Sequence, residues 1–352
     1  MTKLITFAEA IREALDQAMA DDENVIVYGL GVDDPKAIFG TTAGLQQKYG
    51  RKRIFDMPTS ENAMTGVGIG AALNGIRPVM VHQRLEFFIL AMDQLVNSAA
   101  KWHYMFGGQS NVPIVIRLIM GRGWGQGPTH SQNLQAWFAH IPGLKVVMPA
   151  TAEDAKGLLL ESIRDNNPVV FLEHRWLHNL KGNVPVEAKR IPLGKARKGR
   201  EGKDITLVAM SYMVVEAIHA ADFLEERGVS CELLDLRTIA PLDWPAVFES
   251  VNKTGRVLAL DTGMAMGSVA GEILARVAAE CWDKLKTAPQ RLAMPDFPEG
   301  SSPALTEKYH VRAEDIVAKV GEMLGRKIDP TPLITQRQYP HDVPGDWFSG
   351  PF

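Results

Sequence analysis

Short, continuously apolar segments alternate with helical patterns along this chain, and this alternation restricts the fold more than any other feature. The apolar segments, each flanked by turn residues, are 25–28, 79–81, 112–118, 145–148 and 169–172. Between them, apolar residues recur at helical spacing, for example in 152–164. Strands that are apolar throughout are buried on both faces, which is typical of a parallel sheet covered by helices. The sequence therefore predicts an α/β protein.

A second alternation follows a polar, basic segment rich in glycine and proline, which indicates two domains. We expect two three-layer α/β/α domains, as a chain of 352 residues allows. The last part of the chain is rich in proline and has no periodic pattern, so we interpret it as an extension over a surface. The predicted boundaries are a first domain at 1–180, a linker at 181–203, a second domain at 204–327 and the extension at 328–352.

Composition excludes several classes of protein. Lys plus Arg is 38 and Asp plus Glu is 41, a formal charge of −3 that gives no reason to expect nucleic acid or a membrane surface as partner. The two cysteines, Cys231 and Cys281, allow neither a disulfide framework nor a cysteine-built zinc site. No apolar run reaches the roughly 18 residues of a membrane helix, and no signal peptide is visible. We therefore expect a soluble, cytoplasmic protein.

Glu61 stands at the expected start of a glycine-rich helix, Gly66-Val-Gly68-Ile-Gly70-Ala71. These glycines match a dinucleotide fingerprint formally, but Pro58 to Asn62 precedes them where the fingerprint requires a strand. We interpret them as small residues that let a helix lie close to the sheet. A buried carboxylate is costly unless something pairs with it, so Glu61 either meets a ligand or interacts with the positive end of the helix.

The segment from Gly121 to His130 has alternating glycines directly after a buried strand. Such a loop can approach a ligand closely, and α/β proteins bind ligands at strand ends. His130 could then act as an acid or base near neutral pH; the alternative is a flexible surface loop with an incidental histidine. His82, His103 and His140 lie in apolar surroundings, which favours positions in a core or an interface.

Several ordered blocks resemble one family. They are 54–62, 93–101, 112–117, 130–132, 140–149, 154–158, 164–168 and 234–243. Together they resemble the beta subunit of the thiamine diphosphate-dependent component of 2-oxo acid dehydrogenases (pyruvate, branched-chain or acetoin), within the transketolase superfamily. The resemblance runs from about residue 4 to 325. It implies a pyrimidine-binding domain followed by a transketolase C-terminal domain, in agreement with the two alternations.

The resemblance also implies roles for individual residues. Glu61 matches a glutamate that hydrogen-bonds the aminopyrimidine ring of the cofactor and favours its imino tautomer. Phe87 falls where an aromatic ring stacks on the pyrimidine, Gln83 at another pyrimidine contact, and His130 where a histidine faces the substrate. The positions that match a structural potassium site of some relatives are Ile114, Ser162, Ile163, Asp165 and Asn167.

Superfamily members hold diphosphate through Mg²⁺ with a Gly-Asp-Gly block and a later Asn-Asn, and this chain contains no Gly-Asp-Gly. A charged diphosphate and a divalent cation need ligands. We therefore expect an alpha-type subunit to supply most of the Mg²⁺ and diphosphate ligands, and the resemblance implies an α2β2 assembly. Relatives usually carry acidic residues after the first strand, where this chain reads Gly29-Leu30-Gly31-Val32.

Three functions compete at this point. The first is decarboxylation of a 2-oxo acid with acyl transfer to a lipoyl carrier, which implies a lipoyl acyltransferase as a further partner. The second is half of a split transketolase-like enzyme that moves a two-carbon unit from a ketose. The third is a non-catalytic partner subunit, and the retention of Glu61, Phe87 and His130 together argues against it.

Overall fold

The computed structural model describes residues 1–34, 36, 38–187 and 190–350. These residues form two compact units. Unit 1 comprises Met1–Gly123, Thr129–Leu193 and the chain from Ser349 onward, and unit 2 comprises Trp124–Pro128 and Gly194–Phe348. In this described part of the chain, no helix combines the length and the apolar character that crossing a membrane requires.

Unit 1 is built on parallel strands, as the alternation predicts. The strands are β1 (Thr2–Thr6), β2 (Val25–Gly29), β3 (Ile54–Asp56), β4 (Arg77–His82), β5 (Val115–Met120), β6 (Lys145–Val147), β7 (Val169–His174) and β8 (Lys181–Pro185). The parallel strands lie in the order β6-β7-β5-β4-β2-β3. All residues of β5 and β7 are buried, because strands in the middle of a parallel sheet are covered on both faces.

Helices connect these strands. They are α1 (Phe7–Asp21), α2 (Leu45–Tyr49), α3 (Glu61–Leu73), α4 (Leu85–Phe88), α5 (Ala100–Met105), α6 (Gln135–Ala139) and α7 (Ala152–Arg164). A 3₁₀ turn at Ile89–Ala91 and a π-helical segment at Gln94–Ala99 join α4 to α5. The apolar stripes of α1 and α7 pack against each other, whereas α3 packs against β4 and the segment that follows α4.

Unit 2 contains a second, mostly parallel sheet. Its strands and helices are β9 (Arg197–Arg200), β10 (Ile205–Ala209), β11 (Cys231–Asp235), β12 (Thr238–Ala240), β13 (Val257–Met264), β14 (Gln290–Met294), α8 (Met213–Glu225), α9 (Trp244–Thr254), α10 (Val269–Glu280), α11 (Pro303–Thr306), α12 (Ala313–Leu324) and α13 (Thr331–Thr335). The sheet order is β14-β13-β10-β11-β9, and only β9 runs antiparallel to its neighbour. Both units thus have the predicted α/β architecture.

A glycine brings α3 close to the sheet of unit 1. A Cβ added to Gly68 would lie 2.0 Å from the hydroxyl oxygen of Tyr28, so no larger residue fits without displacing the helix. The Tyr28 hydroxyl donates to the carbonyl of Met64 at 3.0 Å. The interpretation of the glycine run as a close helix–sheet contact is confirmed at Gly68, and this contact fixes the helix that begins with Glu61.

Two strands lie within the segment that we predicted as a linker. β8 pairs antiparallel with β1, with Thr2 opposite Pro185, and β9 pairs antiparallel with β11. Residues 188 and 189 of this segment are outside the described residues. The pattern of 181–203 did not reveal these strands because each is short and half exposed, and each depends on a partner far away in sequence. The domain boundaries themselves remain predictions.

The segment after residue 328 contacts unit 2. Arg337 pairs with Glu314 of α12, and the His341 Nε2 lies 3.0 Å from the Pro303 carbonyl oxygen. The Tyr212 hydroxyl donates to the carbonyl of Pro344 at 3.3 Å. As far as Pro344, the extension therefore packs on the surface of unit 2. Residues 351 and 352 lie outside the described residues.

Candidate active site

The carboxyl ends of three adjacent strands gather the residues that the sequence singled out. β2, β4 and β5 are neighbours in the sheet and run in the same direction. The segments that leave them begin at Leu30, Gln83 and Gly121. Parallel strands end at one edge of a sheet, and α/β proteins place ligands there. Gln83, Phe87 and His130 therefore share one edge of unit 1.

Glu61 is the first residue of α3 and is buried, with 8% of its surface exposed. No hydrogen bond or ion pair to its carboxylate is made by the described residues, although its backbone carbonyl accepts from the Thr65 hydroxyl at 2.9 Å. The positive end of the helix dipole stabilises the charge only in part. A buried carboxylate without a partner is suited to accept a hydrogen bond from a ligand.

Phe87 and His130 contact each other, although Phe87 lies in α4 and His130 lies in the loop that follows β5. Their ring centroids are 5.4 Å apart and the rings are nearly perpendicular, at 82°. The Thr129 hydroxyl lies 3.0 Å from His130 Nδ1, which orients the imidazole. The helix α4 that carries Phe87 also packs against α3, which begins with Glu61. The structure thus brings the aromatic ring and the imidazole together next to the helix of the carboxylate.

Gln83 occupies space that is open only because residue 31 is glycine. A Cβ on Gly31 would lie 2.2 Å from the amide nitrogen of Gln83. The backbone of Gly31 is left-handed, at φ +76, and its N–H donates to the Asp56 carboxylate at 2.9 Å. The segment that follows β4 thus places the Gln83 side chain beside Gly31, after the neighbouring strand β2.

Sequence reasoning did not predict the role of two charged residues between Gln83 and Phe87. The Glu86 carboxylate accepts the N–H of Gln132 at 2.6 Å, and the Arg84 guanidinium donates to the carbonyl of Gly121 at 2.8 Å. Burial raises the pKa of Glu86. The sequence pattern that could have pointed to this role is the presence of two opposite charges in a segment that is otherwise apolar.

A buried ion pair lies in β5 and β7. The Arg117 guanidinium donates to both oxygens of Glu173, at 2.6 and 3.0 Å, and both side chains are fully buried. His178 Nε2 lies 3.3 Å from Glu173 Oε2. Burial raises the pKa of Glu173, but the charge and the hydrogen bonds of Arg117 outweigh it and hold this pKa at about 2. The pair is therefore ionised at neutral pH.

His82 is a core residue, whereas His103 and His140 are exposed. His82 ends β4, and its ring packs edge-on against Phe88 at 5.2 Å. Neither ring nitrogen has a hydrogen-bond partner among the described residues, and burial lowers the pKa of His82 to about 4. The core position is thus confirmed for His82 and wrong for the other two, for which a place in an interface remains a prediction.

Acidification from pH 6.5 to about 4 should destabilise unit 1. The pKa of His82 is about 4 in the folded chain and about 6.5 when unfolded, so the unfolded state binds the proton first. The free energy of unfolding therefore has its full value above about pH 6.5. It falls by up to about 3 kcal/mol by pH 4 for one such histidine. His178, also with a pKa near 4, acts in the same direction.

Thermal denaturation of wild type and His82→Leu at several pH values between about 7.5 and 4.5 tests this expectation. The leucine variant removes His82, one of the buried imidazoles whose pKa burial lowers to about 4, so its melting temperature should fall less on acidification. Parallel pH dependences of the two proteins would contradict the assignment.

The residues of the expected potassium site are contacted by two cationic side chains. Arg77 Nη1 donates to the carbonyl oxygens of Ile163 and Asp165, at 3.0 and 3.1 Å, and Lys145 pairs with the Asp165 carboxylate. The Asn167 N–H donates to that carboxylate at 2.8 Å. These contacts place the positive charges of Arg77 and Lys145 next to this segment. Potassium at Ile114, Ser162, Ile163, Asp165 and Asn167 therefore stays a prediction.

Comparison with known proteins identifies the family. Residues 3–180 match the model for the transketolase pyrimidine binding domain, and residues 194–316 match the transketolase C-terminal domain. The chain is 42% identical over 328 residues to the beta subunit of acetoin:2,6-dichlorophenolindophenol oxidoreductase from Cupriavidus necator, covering 90% of this chain and 97% of the relative. It is 41% identical over 319 residues to the mitochondrial pyruvate dehydrogenase E1 component subunit beta-1 from Arabidopsis thaliana, covering 90% and 88%.

A solved structure described as a split gene transketolase, inactive beta4 tetramer, has the same fold. Its TM-score with this chain is 0.75 at 24% sequence identity, and the match covers 92% of this chain and 100% of that one. This likeness concerns the fold alone, whereas the relatives above are similar in sequence over most of their length. The chain belongs to the transketolase-fold beta subunits of thiamine diphosphate-dependent 2-oxo acid dehydrogenases.

Proposed function

We propose that this chain is the beta half of an enzyme that decarboxylates a 2-oxo acid and transfers the acyl group, and that it is active only with an alpha subunit. The observation that carries the proposal is the buried Glu61 carboxylate, which no described residue hydrogen-bonds, on the helix that packs against α4 and its Phe87. Bound thiamine diphosphate supplies the nucleophilic carbon and the electron sink that this reaction requires.

Each residue of this edge has a separate task in the proposal. Glu61 accepts a hydrogen bond from the pyrimidine ring of the cofactor, and Phe87 offers the ring an apolar surface. Gln83 supplies a polar contact beside Gly31. His130, held through Nδ1 by Thr129, presents Nε2 to the substrate and moves a proton there or stabilises developing negative charge.

The alpha subunit completes the site in this proposal. It supplies the ligands of Mg²⁺ and of the diphosphate, for which the sequence of this chain has no Gly-Asp-Gly block. We propose an α2β2 assembly with a symmetric pair of these chains, with a lipoyl acyltransferase as a further partner. A cytoplasmic location is also part of the proposal, although the Arabidopsis relative is named as mitochondrial.

Reconstitution with the alpha-type subunit tests the function. The pair should convert one of pyruvate, branched-chain 2-oxo acids or acetoin, and the isolated chain should be inactive. The chain alone should bind thiamine diphosphate with Mg²⁺ at least about tenfold more weakly than the pair, since each charged hydrogen bond that it lacks contributes about 1.5–3 kcal/mol. Calorimetric titration measures both affinities.

Two outcomes would overturn the proposal. Turnover of ketose donors and aldehyde acceptors, with none of the oxo acids or acetoin, would show a split transketolase-like enzyme. Tight Mg²⁺-dependent binding of the cofactor by the isolated chain would show that its own residues hold the diphosphate.

A further inference from the structure

Two side chains of opposite charge hold the two ends of the glycine-rich loop that carries His130. Arg84 Nη1 donates to the Gly121 carbonyl oxygen at 2.8 Å, at the start of the loop. Glu86 Oε1 accepts the backbone N–H of Gln132 at 2.6 Å, at its end. The N–H of Gly121 donates to the Gln132 carbonyl at 3.0 Å and closes the loop. We call these three hydrogen bonds the loop clamp.

The clamp is buried at Arg84 and partly buried at Glu86, and it involves charged groups. Arg84 is 3% exposed, and the second carboxylate oxygen of Glu86 is buried with no hydrogen-bond partner in the part of the chain that the structure describes. Hydrogen bonds to ionised groups are about twice as strong as neutral ones. Besides its own backbone N–H, the Glu86 carboxylate is hydrogen-bonded by the backbone N–H of Gln132, and Glu86 in turn holds the residue two positions after His130.

The same helical turn also touches the imidazole. Phe87 follows Glu86 in α4 and packs edge-on against His130, with centroids 5.4 Å apart. Burial raises the pKa of Glu86, and the nearby Arg84 charge opposes this rise. One short helix thus holds the end of the loop through residue 86 and contacts the histidine through residue 87.

Such a clamp is needed because ordering the loop costs backbone conformational entropy. Its alternating glycines lose more backbone entropy than other residues on ordering, and two of them, Gly121 and Gly127, have left-handed backbone at φ +74 and +80. Without contacts at both ends, the imidazole would occupy many positions. A proton-transfer group must instead lie within hydrogen-bond reach of its target.

We propose that Glu86 is a positioning residue: through its hydrogen bond to Gln132 it holds His130 at the reacting end of the site. This inference rests on the role of His130 in the proposed function. It predicts that turnover depends on a hydrogen-bond acceptor at position 86 and not on the volume of the side chain there.

A double-mutant cycle in the complex with the alpha subunit tests this role. Glu86→Ala should lower kcat about tenfold with the cofactor affinity unchanged. Glu86→Gln keeps an oxygen that accepts the Gln132 N–H and should retain at least about a third of the activity. His130→Ala should lower kcat by at least about tenfold. Because Glu86 acts through His130, adding Glu86→Ala to His130→Ala should change kcat by less than about twofold.

Hydrogen exchange of the purified chain gives a readout that does not depend on activity. The Gln132 amide should exchange at least about tenfold faster in Glu86→Ala and close to the wild-type rate in Glu86→Gln. Glu153→Ala, which removes an exposed glutamate in the first turn of α7, is the matched control and should change neither exchange nor kcat. If Glu86→Ala does not fold, Glu86→Leu replaces it, since leucine fills the volume and accepts no hydrogen bond.

The outcomes separate the inference from the proposed function. Unchanged Gln132 exchange in Glu86→Ala, or an equal loss of kcat in the presence and absence of His130, would overturn the positioning role while leaving the proposed function intact. Full activity of His130→Ala would overturn the positioning role and the role of His130 in the proposed function, because the histidine would then have no part in turnover, whereas oxo acid conversion by the wild-type pair would still support the function itself.

Discussion

Glu61→Gln should reduce the turnover of the reconstituted enzyme by more than about a hundredfold, the lower range for a general acid–base contribution. Glutamine has nearly the same shape, so α3 and its contact through Gly68 and Tyr28 should remain. An amide has no negative charge, however, and does not favour the pyrimidine tautomer that a carboxylate selects. The loss should therefore appear in kcat, with the fold intact.

The stability of the Glu61→Gln variant provides an independent check. Glu61 as a residue is 8% exposed and its carboxylate has no partner among the described residues, so its neutral replacement should leave the melting temperature unchanged or raise it. Residues that serve a ligand commonly reduce the stability of the free protein in this way. Circular dichroism melts and steady-state kinetics of the same preparations would show activity and stability moving in opposite directions.

Glu153→Gln is the control for this experiment, because it removes an exposed charge from the first turn of α7. It should alter neither property. Activity of Glu61→Gln within a few-fold of wild type would show that Glu61 only interacts with the helix dipole.

Arg117→Met should destabilise unit 1 by about 3–5 kcal/mol, because it leaves the Glu173 carboxylate buried without its main partner. Both side chains are fully buried, and the guanidinium binds both carboxylate oxygens. His178, whose pKa burial lowers to about 4, is neutral at pH 7 and cannot replace the lost charge. Equilibrium unfolding in urea, followed by the transition of unit 1, measures the change.

Two further variants distinguish a lost partner from lost packing. The double variant Arg117→Met/Glu173→Met removes both charges and should recover most of the stability, since apolar replacement of a buried ion pair is often neutral or stabilising. Arg164→Met breaks an ion pair with Asp21 whose side chains are 44% and 46% exposed, and it should cost less than about 1 kcal/mol. A loss below about 1 kcal/mol for Arg117→Met as well would contradict the expectation.

Local patterns in the sequence were enough to predict most of the elements. The helix predicted at 152–164 coincides with α7, and the apolar segments at 79–81 and 169–172 lie within β4 and β7. Apolar runs and helical periodicity indicate burial directly, because they show which faces of a helix or strand are buried away from solvent. The short strands β1 and β8 have no such pattern, since each is partly exposed and each is stabilised by a partner about 180 residues away.

The sequence by itself determined which residues are candidates for chemistry. Glu61 and His130 stand out by residue type and spacing along the chain, and the family resemblance of the ordered blocks implied Gln83 and Phe87. Only the tertiary structure decided that Phe87 touches His130, that Gln83 fills the space beside Gly31, and that Glu86 binds the backbone of Gln132. These contacts join segments that leave different strands. Which strand ends become neighbours is set by the order of strands in the sheet, and that order is a property of the whole packed domain rather than of any one segment.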